Sequence, residues 1–149
     1  MKLVKENIRY IIVHQSATNR DTTTFEKIKK FHLYQGMGNI AYHYFIENDG
    51  KTRRGRNEST AGTHTKASNM NEKSIGVCLA GDFDKEDPTQ RQLSSLNTVL
   101  RILVAKYKIE IPNVLGHREV PGSATECPGD SLNEWLFDWR KLYKKDKKS

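Results

Sequence analysis

The sequence predicts an α/β fold: a single domain with a central mixed β-sheet of about five strands flanked by helices. Three observations carry this. "RYIIVH" and "SIGVCLAG" are near-continuous apolar runs, the pattern of strands covered on both faces. Three other stretches combine helical spacing of apolar residues with capping signals at their starts. Finally, Asp49-Gly50 in "ENDGK" is a hairpin signal, so one antiparallel pair joins a pattern of strands and helices.

Taken in order, "RYIIVH" is the first strand. "TTFEKIKKFHLYQG" is the first helix, with Thr23 and Glu26 as a capping box, Phe25, Ile28, Phe31 and His32 sharing a face, and Gly36 as its stop. "AYHYFIEN" and "KTRRGR" flank the hairpin turn as the second and third strands, and "SIGVCLAG" is the fourth. "DPTQRQLSSLNTVLRILVAKY" has the clearest periodicity, with Leu93, Leu96, Leu100, Leu103 and Tyr107 recurring every three or four residues. Pro88 stands at its entry, and Thr89 pairs with Gln92 in a second capping box. "NVLGH" is the fifth strand. "SLNEWLFDWRKLY" repeats the start signal with Ser131 and Glu134 and carries a core-facing stripe of Leu132, Trp135, Leu136 and Trp139.

At 149 residues, 36% hydrophobic and 29% charged, the chain has the length and composition of one globular domain, with no internal repeat or linker. Its core is expected at about 9–139. The net charge of +7 is concentrated at the end: "RKLYKKDKKS", residues 140–149, holds six basic residues and one acidic, which reads as a solvated basic tail. Charge therefore identifies no partner, and neither direct nucleic-acid binding nor membrane insertion is expected. No apolar run approaches the ~18 residues of a membrane span. The start has an apolar run too short for a secretion signal, so synthesis and retention in the cytoplasm, as a monomer, are expected.

The chemistry gathers in "LGHREVPGSATECPGD". His14 ends the first strand, His117 ends the fifth, and the Pro121-Gly122 turn can fold Cys127 back toward both. Two imidazoles and a thiolate with an open fourth position are the donor set of catalytic zinc. Spacing alone leaves two alternatives: structural histidines beside an ordinary thiol, or a Cys127 nucleophile activated by His117. Cys78, within the apolar fourth strand, reads as a small hydrophobe.

Five blocks, "IIVHQSAT", "AYHYFIENDG", "AGTHTKASN", "SIGVCLAGD" and "GHREVPGSATECPGD", occur in the order and approximate spacing of the zinc-dependent N-acetylmuramoyl-L-alanine amidases. That superfamily includes short phage lysozyme-amidases and the peptidoglycan recognition proteins, and the chain resembles it from about Ile11 to about Trp139. The resemblance implies Zn2+ held by His14, His117 and Cys127, with Tyr42 assisting catalysis beside the metal. It places Thr125 at a second catalytic position, where the phage enzymes usually carry lysine and the catalytic recognition proteins commonly carry threonine. It implies peptidoglycan as substrate, cut between N-acetylmuramic acid and L-alanine; with no secretion signal, the periplasmic wall is expected to be reached once the inner membrane is breached, as in phage or prophage lysis, the alternative being export as an antibacterial effector. It also admits a non-catalytic peptidoglycan binder, or a regulator that inhibits a phage RNA polymerase. His64, in a loop of small polar residues, is expected to contact substrate. Glu119 and Glu126 are candidate proton carriers, each with a plain reading as a supporting or surface carboxylate. His43 and His32 are expected to be packed structural residues.

Overall fold

A computed structural model describes the backbone of residues 1–148 and the side chains as far as Tyr143. Five strands form one sheet: β1 (Tyr10–Gln15), β2 (Tyr44–Ile46), β3 (Thr52–Arg54), β4 (Ser74–Leu79) and β5 (Val114–Gly116), in the order β3-β2-β4-β1-β5. The three helices are α1 (Phe25–Tyr34), α2 (Gln90–Tyr107) and α3 (Asp130–Lys148). β1 runs parallel to both β4 and β5, β2 runs parallel to β4, and the hairpin partner β3 is antiparallel to β2. The sheet is mixed, as the sequence predicts, and the two apolar runs are its centre.

Strand alternation divides the core. Ile11 and Val13 of β1, with Ile75, Val77 and Leu79 of β4, face a layer built from α2 and α3: Leu96, Leu100, Leu103, Leu132, Leu136 and Trp139. On the other face, Phe45, Cys78 and Ala80 meet Phe25 and Ile28 of α1, while Ile12 packs on Met70 and Val120. This second face is only partly covered by helix. His14 points to the same side as Ile12 and is buried there.

The Thr89–Gln92 capping box is present, with Thr89 accepting from Gln92 N and Gln92 from Thr89 N, both at 3.0 Å. α1 starts one residue later than its sequence signal: Thr24 is the cap and accepts from Lys27 N at 3.3 Å. Thr23 instead donates to Thr18 at 2.7 Å, and Glu26, free of a capping role, pairs with Arg53 at 2.6 Å. Phe31 is half-exposed, because a helix advances ~100° per residue and the buried stripe is Phe25, Ile28 and His32.

Both expected limits of the core move outward. Leu3 and Ile8 are buried, tied by bonds from Leu3 N to Ser59 O and from Ala61 N to Met1 O, both 2.8 Å. At the other end α3 continues past residue 139. Arg140 forms an ion pair with Glu119 at 2.7 Å, and Tyr143 is buried against Trp139 with ring centroids 5.0 Å apart. The side chains of the remaining basic tail, 144–149, lie outside the described residues. Among the described residues, no helix is long and apolar enough to cross a membrane.

Candidate metal centre

The sheet register brings the two histidines together. β1 and β5 pair with Val13 opposite Gly116, so the next residue of each strand is a histidine, and the His14 and His117 ring centroids lie 4.7 Å apart. The loop 118–127 then returns to the same point. Arg118 closes it: its backbone N donates to Cys127 O at 2.7 Å, and its guanidinium donates to Glu126 O and, at 2.7 Å, to Asp130. Cys127 Sγ arrives 3.6 Å from His14 Nδ1 and accepts from Gln15 N at 3.3 Å. One donor atom each from His14, His117 and Cys127 lies within 4.8 Å of the other two.

The electrostatics suit a cation. Burial lowers the pKa of His14, further reduced by His64 and His117, and burial alone lowers that of His117, so both rings are neutral with a lone pair to offer. Burial pushes the Cys127 thiol up to about 11, against the opposing pull of Gln15 N–H and Arg118. A thiol with that pKa is a poor nucleophile at neutral pH, which disfavours a Cys/His pair acting alone. A divalent cation held there would supply the charge that ionises it. Two neutral imidazoles and a sulfur converging from three segments are a donor set that fits Zn2+.

Tyr42 stands beside this cluster, its ring centroid 5.1 Å from that of His14. Burial, with the neighbouring Cys78 and Cys127, raises its pKa well above the ordinary phenol value, so it keeps its proton as a donor. Thr125 is exposed, and its Oγ1 accepts from Cys127 N at 3.1 Å, leaving the hydroxyl proton for another acceptor. Thr125, Glu126 and Cys127 line one cavity of about 360 Å3 together with Gln15 and Ala17. Glu119 is placed elsewhere: its carboxylate accepts from Gly116 N at 2.8 Å and from Arg140 at 2.9 and 2.7 Å, so it buttresses β5 against α3.

His64 departs from expectation. Its loop is polar in sequence, but its ring is buried behind His14, with Nδ1 2.9 Å from His14 Nε2. The reason is space: Gly62 and Gly76 have no side chains, and a Cβ on either would stand 2.5 or 2.6 Å from His64 Cδ2. His43 is a packed residue, as the sequence reading has it. Its Nδ1 accepts from Gly76 N at 3.0 Å and its Nε2 lies 2.8 Å from Thr60 O. His32 Nδ1 likewise accepts from Ala41 N at 3.0 Å.

Sequence reasoning missed Arg118 and Gln15. Gln15 supplies the backbone N–H to Cys127, and its side chain accepts from Phe83 N at 2.7 Å. An arginine and a glutamine next to predicted ligands carry no signal of their own.

A mixed sheet that brings a buried His14, a half-buried His117 and a half-buried Cys127 together defines a class of α/β protein with a His/His/Cys group that could hold a metal ion. The chain belongs to the N-acetylmuramoyl-L-alanine amidase family, whose model matches residues 4–130. It is 36% identical over 143 residues to the endolysin of Escherichia phage T7, covering 92% of this chain and 89% of that one. Among solved structures it is similar to the N-acetylmuramoyl-L-alanine amidase LysC from Clostridium intestinale, with TM-score 0.81, 32% identity, and 97% and 91% of the two chains covered. Drosophila PGRP-LB superposes with TM-score 0.80 at 30% identity, covering 93% and 84%.

Proposed function

We propose that this protein is a zinc-dependent N-acetylmuramoyl-L-alanine amidase that hydrolyses the amide between the lactyl group of muramic acid and L-alanine in peptidoglycan. The observation carrying this reading is the convergence of His14, His117 and Cys127 within 4.8 Å, at the edge of a cavity that Cys127 and Thr125 line. These three residues would hold the metal. A bound zinc would polarise the scissile carbonyl and make water a nucleophile near neutral pH.

The chain's own groups account for the rest. Hydrolysis adds water across the amide, leaving a lactyl carboxylate and the free α-amine of L-alanine, so oxyanion charge must be met and a proton delivered to nitrogen. Tyr42 holds its proton and donates to the developing oxyanion, an interaction worth roughly 3–4 kcal/mol where such donors have been removed. Thr125 adds a neutral hydrogen bond but not the charge a lysine would bring. Glu126 shares the wall of this cavity with Asp82 and Asp84, and is the one of the three without an ion pair among the described residues, since Asp84 meets Arg118 and Asp82 meets Lys85. Glu119 is held by Arg140, so Glu126 is the carboxylate assigned to carry the proton. Similarity to phage endolysins supports a role in phage or prophage lysis, with the enzyme made in the cytoplasm and reaching the wall after the membrane is breached.

The test is mass spectrometry of purified peptidoglycan digested with the protein, with chelator, and with chelator followed by zinc. Stem peptides beginning with free L-alanine, lost with chelator and restored by zinc, are expected. Intact wall in the presence of zinc would overturn the reading and return weight to peptidoglycan or polymerase binding.

A further inference from the structure

The burial of His64 poses a question that the amidase reading does not answer. A polar ring has been fitted between two glycines, 2.9 Å from a metal-ligating histidine on its far side from the cleft. Its hydrogen-bond partners fix a direction. Ser74 Oγ donates to Met70 O at 2.6 Å, so its oxygen is left as an acceptor for His64 Nε2, 3.4 Å away. His64 then carries its proton on Nε2 and offers a lone pair at Nδ1. That lone pair faces His14 Nε2, which must carry the proton, and His14 Nδ1 is left unprotonated toward Cys127 Sγ at 3.6 Å. The opposite arrangement would need Ser74 to turn its proton away from Met70 O and toward a longer contact. Thr65 Oγ1, 3.0 Å from His64 Nδ1 and 3.4 Å from His14 Nε2, flanks the same bond, and Asn71 Oδ1 anchors this backbone by accepting from His64 N at 2.9 Å and Thr65 N at 2.8 Å.

Building on the proposed zinc site, we infer that His64 is a positioning residue: a chain from Met70 O through Ser74 and His64 sets the His14 tautomer and ring angle, so that Nδ1 is the metal-binding atom. Partners of this kind are worth about 10–100-fold in metal affinity where they have been removed. The glycines at 62 and 76 belong to the same device, because they make the space in which the ring is held.

The experiment measures zinc affinity by competition with a chromophoric chelator, the absorption spectrum of the cobalt-substituted protein, and 15N NMR of the histidine rings in the metal-free full chain. In the wild type, His14 is expected to be protonated at Nε2 and not at Nδ1. His64→Leu is expected to bind zinc about 10–100-fold more weakly, with altered cobalt bands and a mixed His14 tautomer. His64→Asn, whose Oδ1 falls near the lost acceptor, is expected to recover much of that affinity. Ser74→Ala keeps the ring but removes its orienting partner, so it is expected to mix the tautomers of both histidines.

Wild-type zinc affinity and an unchanged His14 tautomer in folded His64→Leu would overturn the inference. So would an Nδ1 proton on His14 in the wild type, a result that needs no variant to fold. If His64→Leu does not fold, the wild-type spectrum and the other two variants decide. A wild-type chain that binds no zinc overturns the metal reading itself, and is recognisable because it appears without any substitution.

Discussion

Replacing Cys127 by serine separates the metal centre from the fold. In the metal-free protein the sulfur's main partner is Gln15 N at 3.3 Å, a bond that a serine oxygen can also accept, and the residue is half-buried. The substitution should therefore change metal-free stability by no more than about 0.5 kcal/mol. At zinc concentrations near 1,000 times Kd, a folded-state ligand adds about 4.1 kcal/mol. For a chain of 149 residues each kcal/mol moves Tm by about 2–4 °C, so zinc should raise the wild-type Tm by roughly 8–16 °C. Serine stays protonated and is a poor zinc ligand, so most of that rise should disappear in the variant, together with peptidoglycan hydrolysis. Differential scanning fluorimetry with and without zinc measures both. A Cys127→Ser protein that keeps the full zinc-dependent rise would refute the assignment, as would a wild type with none.

Tyr42→Phe should retain zinc while kcat falls by about 10²–10³, the usual loss when an oxyanion donor is removed; metal content and turnover measured on one preparation check this. Loss of metal instead would make Tyr42 structural. Glu119→Gln weakens the pair with Arg140 and should cost about 1–2 kcal/mol in melts, leaving kcat near wild type; a collapse of kcat would put Glu119 back among the proton carriers. Burial holds the pKa values of His43 and His32 below 6.5 in the folded state. Between the folded and unfolded values the unfolded chain binds the proton, so this stability is present above pH 6.5 and is lost as pH falls toward the folded values. Metal-free melts at successive pH values should show Tm falling on acidification below that point, and a flat profile would contradict the neutral, hydrogen-bonded state of these rings.

How much was legible beforehand depended on the range of the interaction. Elements set by neighbours within a turn or two could be read directly. These include the Thr89–Gln92 box, the leucine stripe of α2, the Asp49-Gly50 hairpin, and the uninterrupted apolar runs that became the two central strands. Strand ends and the Pro121-Gly122 turn suggested the grouping of His14, His117 and Cys127 but left two alternatives open. The family blocks chose among them, because no local periodicity links His14 to residues more than a hundred positions away.

By itself the sequence determined the α/β class, the number and kinds of elements, and the chemical types available at the site. Only the tertiary structure decided their use. The sequence spacing put the cap of α1 at Thr23, but Thr18 engages Thr23 and the cap falls to Thr24. Glu119 looked like a candidate proton carrier until Arg140 on α3, in what read as a tail, occupied its carboxylate. His64 sits in a polar stretch, yet the space left by Gly62 and Gly76 drew its ring inward against His14. Each outcome is a competition for hydrogen-bond partners and volume between segments distant in the chain. The linear order of residues names the competitors, and their packing settles which contact is made.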